Sequence, residues 1–291
     1  MNASLWMTLA AVFYALQYFN VKILHHHTEV SVWTIMVFRG IVGWILSLVM
    51  VLVRHRTWRV YGNAPWKLLT RGVVGAFTLL CSFQGLSLLR LSIATALLST
   101  TPLWTGLLTA CCCSPTEWGW QDTAAALLCM SGVLMITVEE YSTTMVSKRH
   151  SLWGVSFCLV SSMLNALVNV TVHELKNEDA WIITMYPMAC TILLAAPGAL
   201  IHRQGLGSWT PLEVGSLFIT GGLSVMAQVC RTLSLQNTKH MGVIVLRYLD
   251  VPLSVFLDIV FLKARPTLLV YSGISFIGIG GIVSLCRQVK K

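Results

Sequence analysis

Ionisable side chains stand inside long apolar runs of this chain, among them Arg39, Arg71, Arg231, Arg247, Asp250 and Asp258. Such groups are costly in an apolar medium and usually face a cavity or a partner. Arg247 and Asp250 are three residues apart, so on a helix they share a face and can pair. The pair can act as an internal lock, as a substrate contact, or as both. Arg39, nine residues into its run, reads first as a pin between helices. Arg71 and Arg231 lie near the ends of theirs, where a long side chain can also snorkel to the interface. Four arginines against two aspartates leave a surplus of +2, and a cavity with that surplus favours an anionic solute over a cation.

Uncharged polar residues in the same runs extend the candidate set. Gln228 is three residues before Arg231 and would share its face; Tyr14 and Gln17 are three apart, Asn165 and Asn169 four apart, and Gln84 stands alone. Amide and phenol groups can orient a substrate, or equally tie helices together for about 1 kcal/mol each. The substrate-binding candidates are therefore Arg247, Arg231, Arg71, Gln228, Asp250, Gln84, Tyr14, Gln17, Asn165 and Asn169. Trp104 can stack on a ligand or simply pack. His25-His26-His27 is a single cluster without a second, and reads as an exposed polar loop, not a metal site. Cys111-Cys112-Cys113 reads as small apolar filling or a palmitoylation site. Asn169-Val170-Thr171 matches a glycosylation sequon but falls within an apolar run, where it would go unused. No Asp-Asp, His-x-x-His or Ser-His constellation stands in the runs, so the expectation is no enzyme, no cofactor and no metal.

The elements that must position these residues follow from composition. Of 291 residues 56% are hydrophobic and 11% charged, too few charges to cover a soluble core of this size. The net charge of +9 fits basic loops beside a membrane, so nucleic acid is not an expected partner. None of the nine cysteines forms a Cys-x-x-Cys pair, which argues against a disulfide or zinc framework. Apolar runs fall near 3–21, 31–53, 67–89, 91–112, 120–138, 152–172, 180–201, 211–233, 240–262 and 268–286. Each is long enough to cross a hydrocarbon core of roughly 30 Å as a helix. The first lacks a basic leader and a cleavage site, and is expected to be a retained helix.

The spacing thus predicts an all-α membrane protein of ten transmembrane helices. The longest break, 139–151, divides it into five-helix halves at 1–145 and 146–291. Basic loop residues number nine on one side and seven on the other, a bias toward both termini in the cytosol of a plasma-membrane or organelle protein. Leu86-Ser87-Leu88 and Leu233-Ser234-Leu235 close the third and eighth runs. An odd number of helices per half then makes the halves inverted repeats, a plan common among secondary transporters. Gly273, Gly278, Gly280 and Gly281 suit close packing in the tenth helix and a homodimer contact.

Several short motifs recur in one order: Arg71-Gly72-Val73-Val74-Gly75, Leu86-Ser87-Leu88, Ala94-Thr95-Ala96, Thr101-Pro102-Leu103, Gly221-Gly222 with Gln228, and Arg247-Tyr248-Leu249-Asp250-Val251. Together they resemble the EamA-type drug/metabolite transporter superfamily, most closely the G-type members of solute carrier family 35, over about residues 3–286. The resemblance implies two inverted five-helix repeats, with helices 1, 3, 4, 6, 8 and 9 lining a central cavity. It also implies alternating-access transport of a small solute, with carboxylates such as citrate for G-type members and nucleotide sugars, amino acids or cationic drugs elsewhere. A membrane scaffold or membrane-embedded enzyme is the remaining alternative. The chain departs from the family pattern at Leu262-Lys263-Ala264-Arg265 and at Pro252.

Overall fold

Pro65 and Pro211 each open a helix at its first position, where a missing N–H costs nothing and a fixed φ suits the helix. Thr210 caps the second of these through a capping box with Glu213, and Glu178 accepts from the N–H groups of Asn63 (2.6 Å) and Ala64 (3.0 Å) ahead of the first. The computed structural model describes residues 2–27, 31–55, 62–89, 91–112, 120–143, 148–201, 210–238, 241–262 and 267–289. Among them the helices are α1 (Ala3–His27), α2 (Val32–His55), α3 (Pro65–Leu88), α4 (Leu91–Leu98), α5 (Thr101–Cys112) and α6 (Trp120–Thr143). They continue with α7 (Lys148–Glu174), α8 (Ala180–Ile201), α9 (Pro211–Gln236), a 3-10 segment (Met241–Leu249), α10 (Asp250–Leu262) and α11 (Leu268–Val289). No strand occurs among the described residues. Among the described residues, six helices are long and apolar enough to span a membrane: α1, α2, α3, α7, α8 and α9.

Several boundaries differ from the hydropathy reading. The α1 helix runs on through His27, so the three histidines occupy its last turns and not a loop. The α6 helix continues through Glu139 and Glu140 to Thr143, because glutamate is a good helix former even where it ends an apolar run. The 91–112 run is two helices. Pro102 has no N–H for the Leu98 carbonyl, and the hydroxyls of Ser99, Thr100 and Thr101 donate instead to the carbonyls of Ala96, Leu97 and Leu98 at 2.7, 2.9 and 2.7 Å. Three hydroxyls in a row let the chain break inside an apolar layer without leaving those carbonyls bare.

The helices pack α1 on α9, α3 on α7, α2 on α8 and α9, α3 on α8, and α6 on α11. Small residues set several of these distances. At Gly132 an added Cβ would meet the Gly273 carbonyl oxygen, with Ile277 and Phe276 at 3.0 Å. Changing Gly132 to Val should therefore force α6 and α11 apart and cost about 2 kcal/mol by overpacking. Gly278→Ala, where nothing lies within 4 Å, should leave stability unchanged. Melting of the two purified variants against the parent checks this; equal melting would mean that α6 and α11 are not held at that glycine. Gly273 and Gly280 thus serve contact within the chain, Gly280 against Cys129.

Candidate functional site

One face of α3 carries Arg71, Gly75, Thr78, Leu79 and Ser82, spaced at helical intervals, and all five line a cavity between the helices. From Arg71 to Ser82 the face rises about 16 Å. Tyr14 and Tyr18 of α1, Asn165 and Val168 of α7, Pro187 of α8, Gln228 and Arg231 of α9 and Arg247 of the 3-10 segment complete the wall. The open space is about 20 Å³, room for about one water molecule.

Each guanidinium is placed by a different device. Gly75 gives Arg71 its room: a Cβ there would collide with the Arg71 guanidinium and lie 3.1 Å from Pro187. Arg231 donates from Nε to the Asn169 side-chain oxygen at 2.9 Å, and from Nη2 to the same oxygen and to the Asn165 carbonyl at 3.2 Å. Asn169 in turn donates to the Thr105 hydroxyl at 3.1 Å, so α5, α7 and α9 are joined through one side chain. Arg247 sits 4.7 Å over the Tyr14 ring and 3.9 Å from the Asp250 carboxylate. The 3-10 segment explains that pairing, because three residues per turn stack position 247 over 250 where α10 begins. Tyr14 and Tyr18 stack with centroids 6.0 Å apart.

Thr78 and Ser82 are the serine and threonine residues of the wall among the described residues, and further hydroxyls back them. Ser82 and Ser161 share a 2.6 Å hydrogen bond, and Ser161 donates to the Thr78 carbonyl at 2.9 Å. The Thr100 and Ser162 hydroxyl oxygens lie 2.8 Å apart. These contacts tie α3, and the turn between α4 and α5, to α7.

Of the ten candidate residues, Arg71, Arg231, Arg247, Gln228, Tyr14 and Asn165 line the cavity. Asn169 and Asp250 stand one layer behind, each holding an arginine. Gln17 is fully buried but off the cavity wall, and neither atom of its amide has a hydrogen-bond partner among the described residues. Gln84 is half-buried and also off the wall; thirteen residues beyond Arg71, it points about 220° around α3. Trp104 does not reach the cavity either. Asp258 belongs to α10, with its side chain outside the described residues, as are those of His25, His26 and His27. Among the described residues no group of histidine, cysteine or carboxylate residues is arranged to hold a metal. Thr78, Ser82 and Pro187 were not singled out by the sequence reading; the four-and-three spacing from Arg71 was the signal that could have found the first two.

The model of the EamA-like transporter family matches residues 1–138, which hold α1 to α5 and most of α6. No curated protein matches the chain. Solved structures do: one crystal structure, 17% identical, is covered over 100% of both chains with a TM-score of 0.77, a likeness of fold alone. The apolar helices and the family match together make the chain a multi-pass integral membrane protein, and the match supports the EamA-like transporter family.

Proposed function

We propose that this chain is a secondary-active transporter that moves a small organic anion, a carboxylate such as citrate, by alternating access. One observation carries the reading: three guanidinium groups, those of Arg71, Arg231 and Arg247, line one cavity, and Asp250 is the one carboxylate paired with any of them among the described residues. A buried cationic surplus is stabilised by an anion and repels cations. Cavity-lining tyrosines and hydroxyls add uncharged donors for carboxylate oxygens. The resemblance to G-type carriers points to the same chemistry.

The ten-helix, two-repeat plan, with halves at 1–145 and 146–291 and both termini in the cytosol, belongs to this proposal. In it α4 with α5 forms the fourth span, and the 3-10 segment with α10 the ninth. The packing pattern supports the plan. Advancing every span by five turns the α3–α7 contact into α9–α1 and the α3–α8 contact into α9–α2, while α2–α8 and α6–α11 map onto themselves. The broken fourth span packs on α7, and the broken ninth packs on α1, as the same exchange requires. Alternating access also answers the small cavity, since a solute larger than a water enters only when the walls part.

Uptake of labelled citrate by the purified protein in liposomes tests the proposal. Saturable uptake, competed by other carboxylates and untouched by organic cations, is the expected result. Absence of flux with every organic anion tried would end the anion reading.

A further inference from the structure

Arg39 is 0% exposed, and its Nε, Nη1 and Nη2 atoms have no hydrogen-bond partner among the described residues. Its guanidinium carbon lies 5.7 Å from the centre of the Phe83 ring. Its charge lies close enough to Tyr14 and Tyr18 of α1, stacked rings that form part of the cavity wall, to interact with them electrostatically. Arg247 lies over the Tyr14 ring on the cavity side. Tyr14 and Tyr18 belong to the cavity wall and Arg39 does not, so the Arg39 charge meets these rings from outside that wall.

A structural cation in an apolar bundle normally satisfies its donors, as other residues of this chain do. Lys22, for one, donates to the Leu86 and Leu89 carbonyls at 3.1 and 2.7 Å. A guanidinium with five N–H donors and no acceptor is expensive to keep, so a purely structural role does not explain it. The α2 helix that carries Arg39 is packed chiefly on α8 and α9 and only lightly on α3. The side of α2 toward α3 is thus its thinly packed side.

We propose that Arg39 is a second anion-binding residue, outside the wall that holds Tyr14 and Tyr18 in this conformation and exposed to the solute when α2 separates from α1 and α3. The solute's anionic group passes from the Arg71–Arg231–Arg247 cluster to Arg39, and the acceptor missing here is supplied in the other state. This rests on the anion-transporter reading above.

The test uses the full chain, with citrate as the probe, in three forms: parent, Arg39→Met and Arg39→Gln. Citrate binding in detergent should stay within about threefold of the parent, because the cluster that binds it here is intact. Citrate uptake in liposomes should fall at least about twentyfold, because only the transit step loses its ligand. Melting temperatures should equal or exceed the parent's, since each variant removes a buried unpartnered charge. Uptake at the parent rate by either variant would overturn the proposal. So would melting below the parent in both, which marks Arg39 as a helix pin. A parent that moves no citrate would instead strike the anion reading itself, so the two failures are told apart by the parent arm.

Discussion

Arg231→Ala is expected to abolish citrate uptake, with binding in detergent weakened about 100-fold, close to 2.7 kcal/mol. The side chain is buried, lines the cavity and is aimed by two hydrogen bonds to Asn169 and one to the Asn165 carbonyl. Charge-assisted bonds to an ionised solute in such a place are stronger than neutral ones, and losing one removes both charge and direction. The protein itself should survive the change. Asn169 keeps Thr105 as a partner, and removing a cation from a cavity that already has a surplus relieves repulsion with Arg71 and Arg247. Isothermal binding of citrate together with a melting curve separates the two effects. A variant that melts like the parent and still binds citrate with parental affinity would remove Arg231 from the site.

What the sequence made legible follows from contrast. An arginine in an apolar run stands out at once, and four such arginines led directly to the cavity wall or to the layer behind it. Serine, threonine and proline give no such contrast, because they are ordinary inside membrane helices. Ser82, Thr78 and Pro187 therefore became visible as cavity residues only once α3 and α8 were in place. Gln84 shows the opposite error: its polarity suggested a role, whereas its angle on α3 excludes it from the face that carries Arg71.

The same contrast governs the fold. Hydropathy located the long helices well, since α2, α3, α8 and α9 each fill one apolar run. It missed the break at Ser99 and Thr100, because side-chain hydroxyls replaced the lost backbone bonds without lowering the hydropathy of the run. It missed the 3-10 segment for a related reason: a tighter winding of the same apolar residues leaves no mark on composition. That winding nevertheless sets where Arg247 stands over Asp250.

The pair formed by Arg247 and Asp250 is expected to be worth more to transport than to stability, and a double-mutant cycle can show it. Both residues are buried, at 2% and 1% exposure, and neither Asp250 carboxylate oxygen has a hydrogen-bond donor among the described residues. Arg247→Met should cost about 3–5 kcal/mol, because it leaves that carboxylate without its counter-charge. Asp250→Leu should cost less, since Arg247 keeps the face of Tyr14 at 4.7 Å. The double variant should melt near the parent temperature, because two apolar side chains of similar volume replace an ion pair and leave no charge behind. Its citrate uptake should remain as low as that of Arg247→Met alone, since the cavity has still lost a guanidinium. Recovery of uptake together with melting would make the pair a lock and nothing more. Recovery of melting without uptake would place Arg247 among the groups that hold the solute, with Asp250 as the residue that keeps it in position.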